Sequence, residues 1–198
     1  MGFWGTLIVC PDSVPLPQVP EVRALDQDVR RWAGSWRTGW QGWRIRGETP
    51  GDLPETLGGA GLVPMLSAEV MASDAAYVTG FGPAGGRWAA WLQFEAALGH
   101  YVPPPAPFDD EGEFIEADID DPEAFPDYHR QLAETRQRLL THAPGGRRAA
   151  EAAVAWARDC GLALPSTEAV HAVLTGREVF VEALVDDLVR LVGLVDGG

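Results

Sequence analysis

Residues 64–93 read PMLSAEVMASDAAYVTGFGPAGGRWAAWLQ. Three apolar, β-rich runs, at about 64–71, 76–81 and 87–93, are separated by Ser73-Asp74 and by the Gly/Pro-rich stretch 82–86. Runs of this length bounded by turn residues read as strands, and connections this short join antiparallel neighbours. The segment is therefore an antiparallel meander, and it sets the fold class for the whole chain.

Two further strands lie upstream. Residues 3–10, FWGTLIVC, form a short apolar run closed by Pro11 and Asp12 and read as a buried strand. From Trp40 to Arg46 the side chains alternate: Gln41, Trp43 and Ile45 face one way and Arg44 and Arg46 the other, which describes a half-buried strand. Between these strands, Val22, Leu25, Val29, Trp32 and Trp36 recur at spacings of 3, 4, 3 and 4. That periodicity predicts a helix from near Pro20 that ends at about Gly34. Asp52 is placed to cap a short helix over 53–58, stopped by Gly58 and Gly59.

Beyond Pro103–Pro107 the patterning becomes helical. Helices are expected over 128–142, 147–160 and 167–174, with Asp121-Pro122 opening one short turn before them. A last helix is expected over about 176–194, announced by Thr175 and Glu178 at capping-box spacing. Strands and helices are segregated along the chain, so the expected fold is α+β. It has an antiparallel sheet of about five strands with helices on one face, followed by a C-terminal helical part packing on the sheet. The organisation is a β-rich half over 1–102, an acidic connector over 103–127 and a helical half over 128–198, within one domain.

The connector dominates the charge. Asp109, Asp110, Glu111, Glu113, Glu116, Asp118, Asp120, Asp121, Glu123 and Asp127 follow one another without a basic residue, and the chain carries a net charge of -14. Nucleic acid and anionic membranes are disfavoured as partners, and a basic protein is favoured. The run fails as an EF-hand loop: counted from Asp109, Phe114 stands where glycine is required and Asp120 where glutamate is required. It reads as a solvated linker or, because Phe108, Phe114, Ile115, Ile119 and Phe125 are interleaved with the acids, as a docking surface for a basic partner. The partner-binding candidates are Asp109, Asp110, Glu111, Glu113, Glu116, Asp118, Asp120 and Asp121.

A second cluster has the opposite sign. Trp36, Trp40 and Trp43 lie beside Arg37, Arg44 and Arg46. Guanidinium groups stack on indoles, so these six are candidates for holding an anionic aromatic ligand. The competing reading is a set of core tryptophans edged by arginines. Gly80-Phe-Gly-Pro-Ala-Gly85 matches the dinucleotide-loop pattern GxGxxG, but a proline interrupts it and PPPAP stands where the acidic residue of that fingerprint belongs. It reads as a hairpin turn.

No catalytic motif is present. His100, His129, His142 and His171 match no zinc spacing, and Ser35 and Ser67 have no nucleophile-elbow setting. Cys10 in an apolar strand and Cys160 at a helix end read as inert thiols of a cytoplasmic protein. No cofactor, metal or membrane segment is expected. In the last helix Val181, Leu184, Leu188, Leu191 and Val195 form a continuous apolar seam, which reads as core or as a homodimer contact.

All 15 basic residues are arginine, a codon signature of a GC-rich genome. The opening MGFWGTLIV, the arm GGRWAAWL, and EAAVAWARDCGL followed by FVEALVDDLVRLVGL resemble a family of actinobacterial, chiefly Streptomyces-type, proteins of unknown function. The resemblance implies no activity and no site residue. The function expected from the residues is a non-enzymatic interaction domain, such as an immunity- or antitoxin-like inhibitor of a basic protein. The alternatives are a small-molecule binding domain or enzyme built on the Trp/Arg cluster, and a structural homodimer.

Overall fold

A computed structural model of the chain describes residues 2–106, 108 and 118–195. Its centre is β1 (Gly5–Pro11), whose residues 5–10 are all buried. It pairs antiparallel with β3 (Trp40–Arg46) on one side and with β4 (Met65–Met71) on the other. β5 (Ala75–Phe81) and β6 (Arg87–Leu92) continue from β4 as the expected meander. β2 (Asp28–Arg31) adds an edge beyond β3, giving the order β2-β3-β1-β4-β5-β6. The fold is α+β with six antiparallel strands rather than about five.

The sixth strand lies where a helix was expected. α1 covers only Pro20–Arg23, and Asp26 then takes a left-handed φ of 52° that helical backbone does not tolerate. The 3-4-3-4 residues do not share one face. Val22, Leu25 and Val29 join one core cluster, and Trp32 and Trp36 join another. Pairing Asp28–Arg31 with β3 satisfies backbone groups that a longer helix would leave unpaired on β3. The charged side chains of Asp28, Arg30 and Arg31 then blunt the new edge against further pairing.

Alternation along the strands divides the sheet into two apolar faces. On one, Leu7, Val9, Leu66, Val70, Val78 and Leu92 pack beneath the C-terminal helices α5 (Gly146–Asp159), α6 (Thr167–Leu174) and α7 (Val181–Leu191). On the other, Ile8, Cys10, Trp43, Ile45 and Met65 lie under the 3-10 turn Leu16–Gln18, α1 and α2 (Leu53–Gly59). At the far end of this second face, Met71, Ala75 and Trp91 lie under α3 (Phe94–Tyr101) and α4 (Pro126–His142). α3 has no counterpart among the expected helices. It starts at Gln93, a non-glycine residue at φ 54°, and a bidentate Arg136–Glu95 pair at 2.7 and 2.6 Å joins it to α4.

α7 starts later than its capping-box pattern suggests. Thr175 closes α6, its Oγ1 donating to the His171 carbonyl at 2.8 Å, and Phe180 is the residue that opens α7. The chain between them is spent on the β4–β5 turn. The Val181 amide donates to the Ser73 carbonyl at 2.8 Å, and the Glu178 amide donates to Gln93 Oε1 at 3.2 Å. Ser73 also receives the Phe3 amide on its hydroxyl at 2.6 Å and donates that hydroxyl to Glu182 at 2.7 Å. This one turn therefore ties down the start of the chain and the start of the last helix. Of the apolar seam, Val181, Leu184 and Leu188 are buried within the single chain, and Leu191 and Val195 are partly buried against the same core.

Two strand glycines exist for close packing. A Cβ on Gly42 would lie 2.0 Å from the Trp36 ring, and one on Gly80 would lie 2.1 Å from Trp88 Nε1. Each indole occupies space beside backbone that only glycine leaves open. Gly80 starts the GxGxxG match, and the Gly82 amide bonded to the Gly86 carbonyl at 2.7 Å makes that stretch a hairpin turn. We expect Gly80→Ala to destabilise the fold by about 1–3 kcal/mol through overpacking against Trp88. Urea unfolding should show a lower midpoint at an unchanged slope.

Candidate functional site

On the face that carries α1–α4, the two apolar clusters do not meet. A polar band crosses the sheet between them. Thr6, Ser67 and Thr79 are 2%, 3% and 2% exposed and point to the same face. Ser67 stands opposite Thr79, and Glu69 stands between Thr6 on β1 and Tyr77 on β5. Residues facing each other in this way hold their Cβ atoms about 5 Å apart. The segment between β3 and α2 roofs the band, and the Thr6 and Thr49 hydroxyls hydrogen-bond at 2.7 Å. Under that roof lies a crevice of about 20 Å³, lined by Thr6, Ser67, Glu69, Tyr77 and Thr79, with the Arg87–Glu55 ion pair at its side.

The groups in this crevice are short of partners. Among the described residues, the Ser67 and Thr79 side chains make no hydrogen bond, and Glu69 has neither a hydrogen bond nor an ion pair. Their oxygens are not sealed off in the core, so three neighbours without a protein partner leave hydrogen-bonding capacity on the wall of the crevice. Burial pushes the Glu69 carboxyl above the ordinary range, with no cation to offset it. Burial, and then the Glu69 charge, push up the phenol of Tyr101 at the end of α3. Trp91 joins Tyr77 to Tyr101, with ring centroids 4.8 and 6.1 Å away respectively. Trp4 precedes Thr6 by two residues and packs edge-on against His100 at 5.7 Å. Tyr101 is 46% exposed and feels the Glu69 charge, so aromatic surface borders the carboxylate, and Trp4 is 41% exposed beside His100.

The six Trp/Arg candidates do not converge. Trp43 is buried on the α1–α2 face with Arg31 stacked over it at 4.7 Å. Trp36 and Trp40 pack against the core on the opposite face, and Trp36 Nε1 donates to the Trp32 carbonyl at 3.0 Å. Arg37 donates to the Gly161 carbonyl at 3.3 Å. Only Arg44 and Arg46 stay together, in an open groove with Arg30 and Phe3, where Arg44 lies over Phe3 and Trp32 at 6.0 and 5.7 Å. The sheet itself separates the tryptophans, because alternation sends residues 40 and 43 to opposite faces.

Of the acidic candidates, Asp109, Asp110, Glu111, Glu113 and Glu116 lie outside the described residues. Asp118, Asp120 and Asp121 are exposed. Asp118 and Asp121 cap local turns, accepting from the Asp120 and Glu123 amides at 3.0 and 2.9 Å. Burial pushes the Cys10 thiol up to about 11, and burial with Asp159 pushes Cys160 up to about 12, so neither is a nucleophile at neutral pH. Among the described residues no three potential metal ligands cluster, and no helix is long and apolar enough to cross a membrane. Compared with family models, curated proteins and solved structures, the chain has no match.

Glu69 carries a stability signature. A carboxyl whose folded pKa is raised penalises folding at pH values above that pKa, and the penalty disappears below the unfolded value, about 4.3. Glu69→Gln should therefore raise the melting temperature at pH 7, with the gap to the native chain closing as the pH falls to about 4. A lowered melting temperature at pH 7 would mean that the carboxylate already has a favourable partner.

Proposed function

We propose that the chain is a non-catalytic interaction domain that engages a basic protein through the sheet face around Glu69. The observation that carries this reading is a partly buried carboxylate without a cation, bordered by the exposed ring of Tyr101, with the exposed ring of Trp4 against the neighbouring His100. Aromatic anchors around a desolvated charge are the composition of interface hot spots. The net charge of -14 supplies long-range attraction and speeds encounter with a basic surface. The acids of the connector, Asp118, Asp120 and Asp121 among them, add to that field. An immunity- or antitoxin-like inhibitor that covers a basic effector fits this description.

The test is capture from native cytoplasmic lysate at low and at high salt. A discrete basic protein should be recovered at low salt and lost at high salt. Trp4→Ala and Tyr101→Ala should each weaken capture by about tenfold, or 1.4 kcal/mol. Thermal unfolding run alongside separates lost binding from lost fold. Recovery of no basic protein at low salt removes the reading.

A second reading, binding of an anionic aromatic small molecule, is favoured by the groove where Arg30, Arg44 and Arg46 surround Phe3. It predicts that such a ligand changes the fluorescence of Trp32, which lies 5.7 Å beneath Arg44.

A further inference from the structure

Resting on the interaction reading, we propose that the crevice beneath residues 49–55 is an anchor site for a primary ammonium group. Its occupant is a lysine side chain presented by the basic partner. The first argument is size. A site needs roughly 10–15 Å³ of such volume to accept one water molecule. The crevice offers about 20 Å³. An ammonium group is close to water in size and enters, whereas a planar guanidinium does not.

The second argument is donor and acceptor matching. An ammonium group carries three donors and no acceptor. The crevice presents three acceptors without partners: the Ser67 hydroxyl, the Thr79 hydroxyl and the Glu69 carboxylate. Ser67 and Thr79 are 3% and 2% exposed and line the crevice without a protein partner. A water molecule satisfies the hydroxyls but leaves the Glu69 charge uncompensated, and a cation answers both. The other carboxylate on the crevice, Glu55, is paired with Arg87, and a divalent metal requires more than the one carboxylate left free.

The third argument is the surroundings. Tyr77 faces Glu69 directly, and the charge of Glu69 reaches the Tyr101 phenol. Aromatic faces beside a carboxylate attract ammonium groups and cover the apolar stem of a lysine.

The experiment is a titration of the isotope-labelled full chain followed by amide NMR. The probes are butylammonium chloride, Nα-acetyl-lysine amide, Nα-acetyl-arginine amide, and sodium chloride as the ionic control. Butylammonium and the lysine analogue should produce saturable shifts at Ser67, Glu69 and Thr79, and the arginine analogue and sodium should not. Glu69→Gln and the isosteric Thr79→Val should each weaken amine binding by about tenfold or more while keeping the native spectrum. Equal response to sodium, no saturable response to either amine, or unchanged binding by Glu69→Gln overturns the proposal. Capture of the basic partner by Glu69→Gln as strongly as by the native chain overturns the anchor and leaves the interaction reading standing. Amine binding without any captured partner upholds the ammonium site, assigns it to a free amine, and ends the interaction reading.

Discussion

Everything in this molecule depends on burying β1 from both sides. Its Leu7 and Val9 point one way and its Ile8 and Cys10 the other, and all four are withdrawn from water. A strand with two apolar faces cannot serve as the outer layer of a two-layer domain, so each face needs its own cover. The chain divides the task by sequence position. The helices up to α4 cover one face, and α5, α6 and α7 cover the other. The continuous apolar character of FWGTLIVC states this requirement, and the segregation of strand and helix patterns states how it is met.

The candidate site arises because the first of those covers is built from separate pieces. One piece buries the β1–β3 end of the sheet and the other buries the β5–β6 end. The register of β1, β4 and β5 then lines up Thr6, Glu69 and Tyr77, with Ser67 and Thr79 beside them, along the seam between the pieces. A polar row in this position weakens the core it interrupts. Its persistence across three strands, with a roof formed by the 49–55 segment, is what separates it from an ordinary solvent-facing strip.

The meander, the alternation of Gln41, Trp43 and Ile45, the hairpin at Gly82–Gly86 and the bounds of α4 to α6 were legible in the sequence, because each depends on local patterning. β2 was not. Its Val29 and the adjoining Trp32 fit a helical period by coincidence, and the demand of β3 for a neighbour overrode it. The start of α7 was misplaced because Thr175 and Glu178 have the right spacing for a cap but are drawn to His171 and Gln93 instead. The crevice was invisible for a different reason. Ser67 and Glu69 in MLSAEVM, and Tyr77 and Thr79 in AAYVTGF, look like the solvent-facing half of ordinary strands. Only the pairing register between strands brings them together, and no single strand encodes it. The Trp/Arg cluster failed to assemble for the converse reason: proximity in sequence does not survive alternation in a strand.

The knot at Ser73 and the covering of β1 share a consequence for how the molecule is made. β1 leaves the ribosome well before α7, which covers one of its faces and fastens to Ser73. Pro11 and Val181 are 170 positions apart, so at about 5–20 residues per second β1 waits on the order of ten to thirty seconds for this cover. During that interval one face of the sheet, rich in valine and leucine, stands open to neighbours. The newborn chain therefore spends an aggregation-prone period before α7 exists, and production at lower temperature or with a holding chaperone acts on that interval rather than on the finished fold.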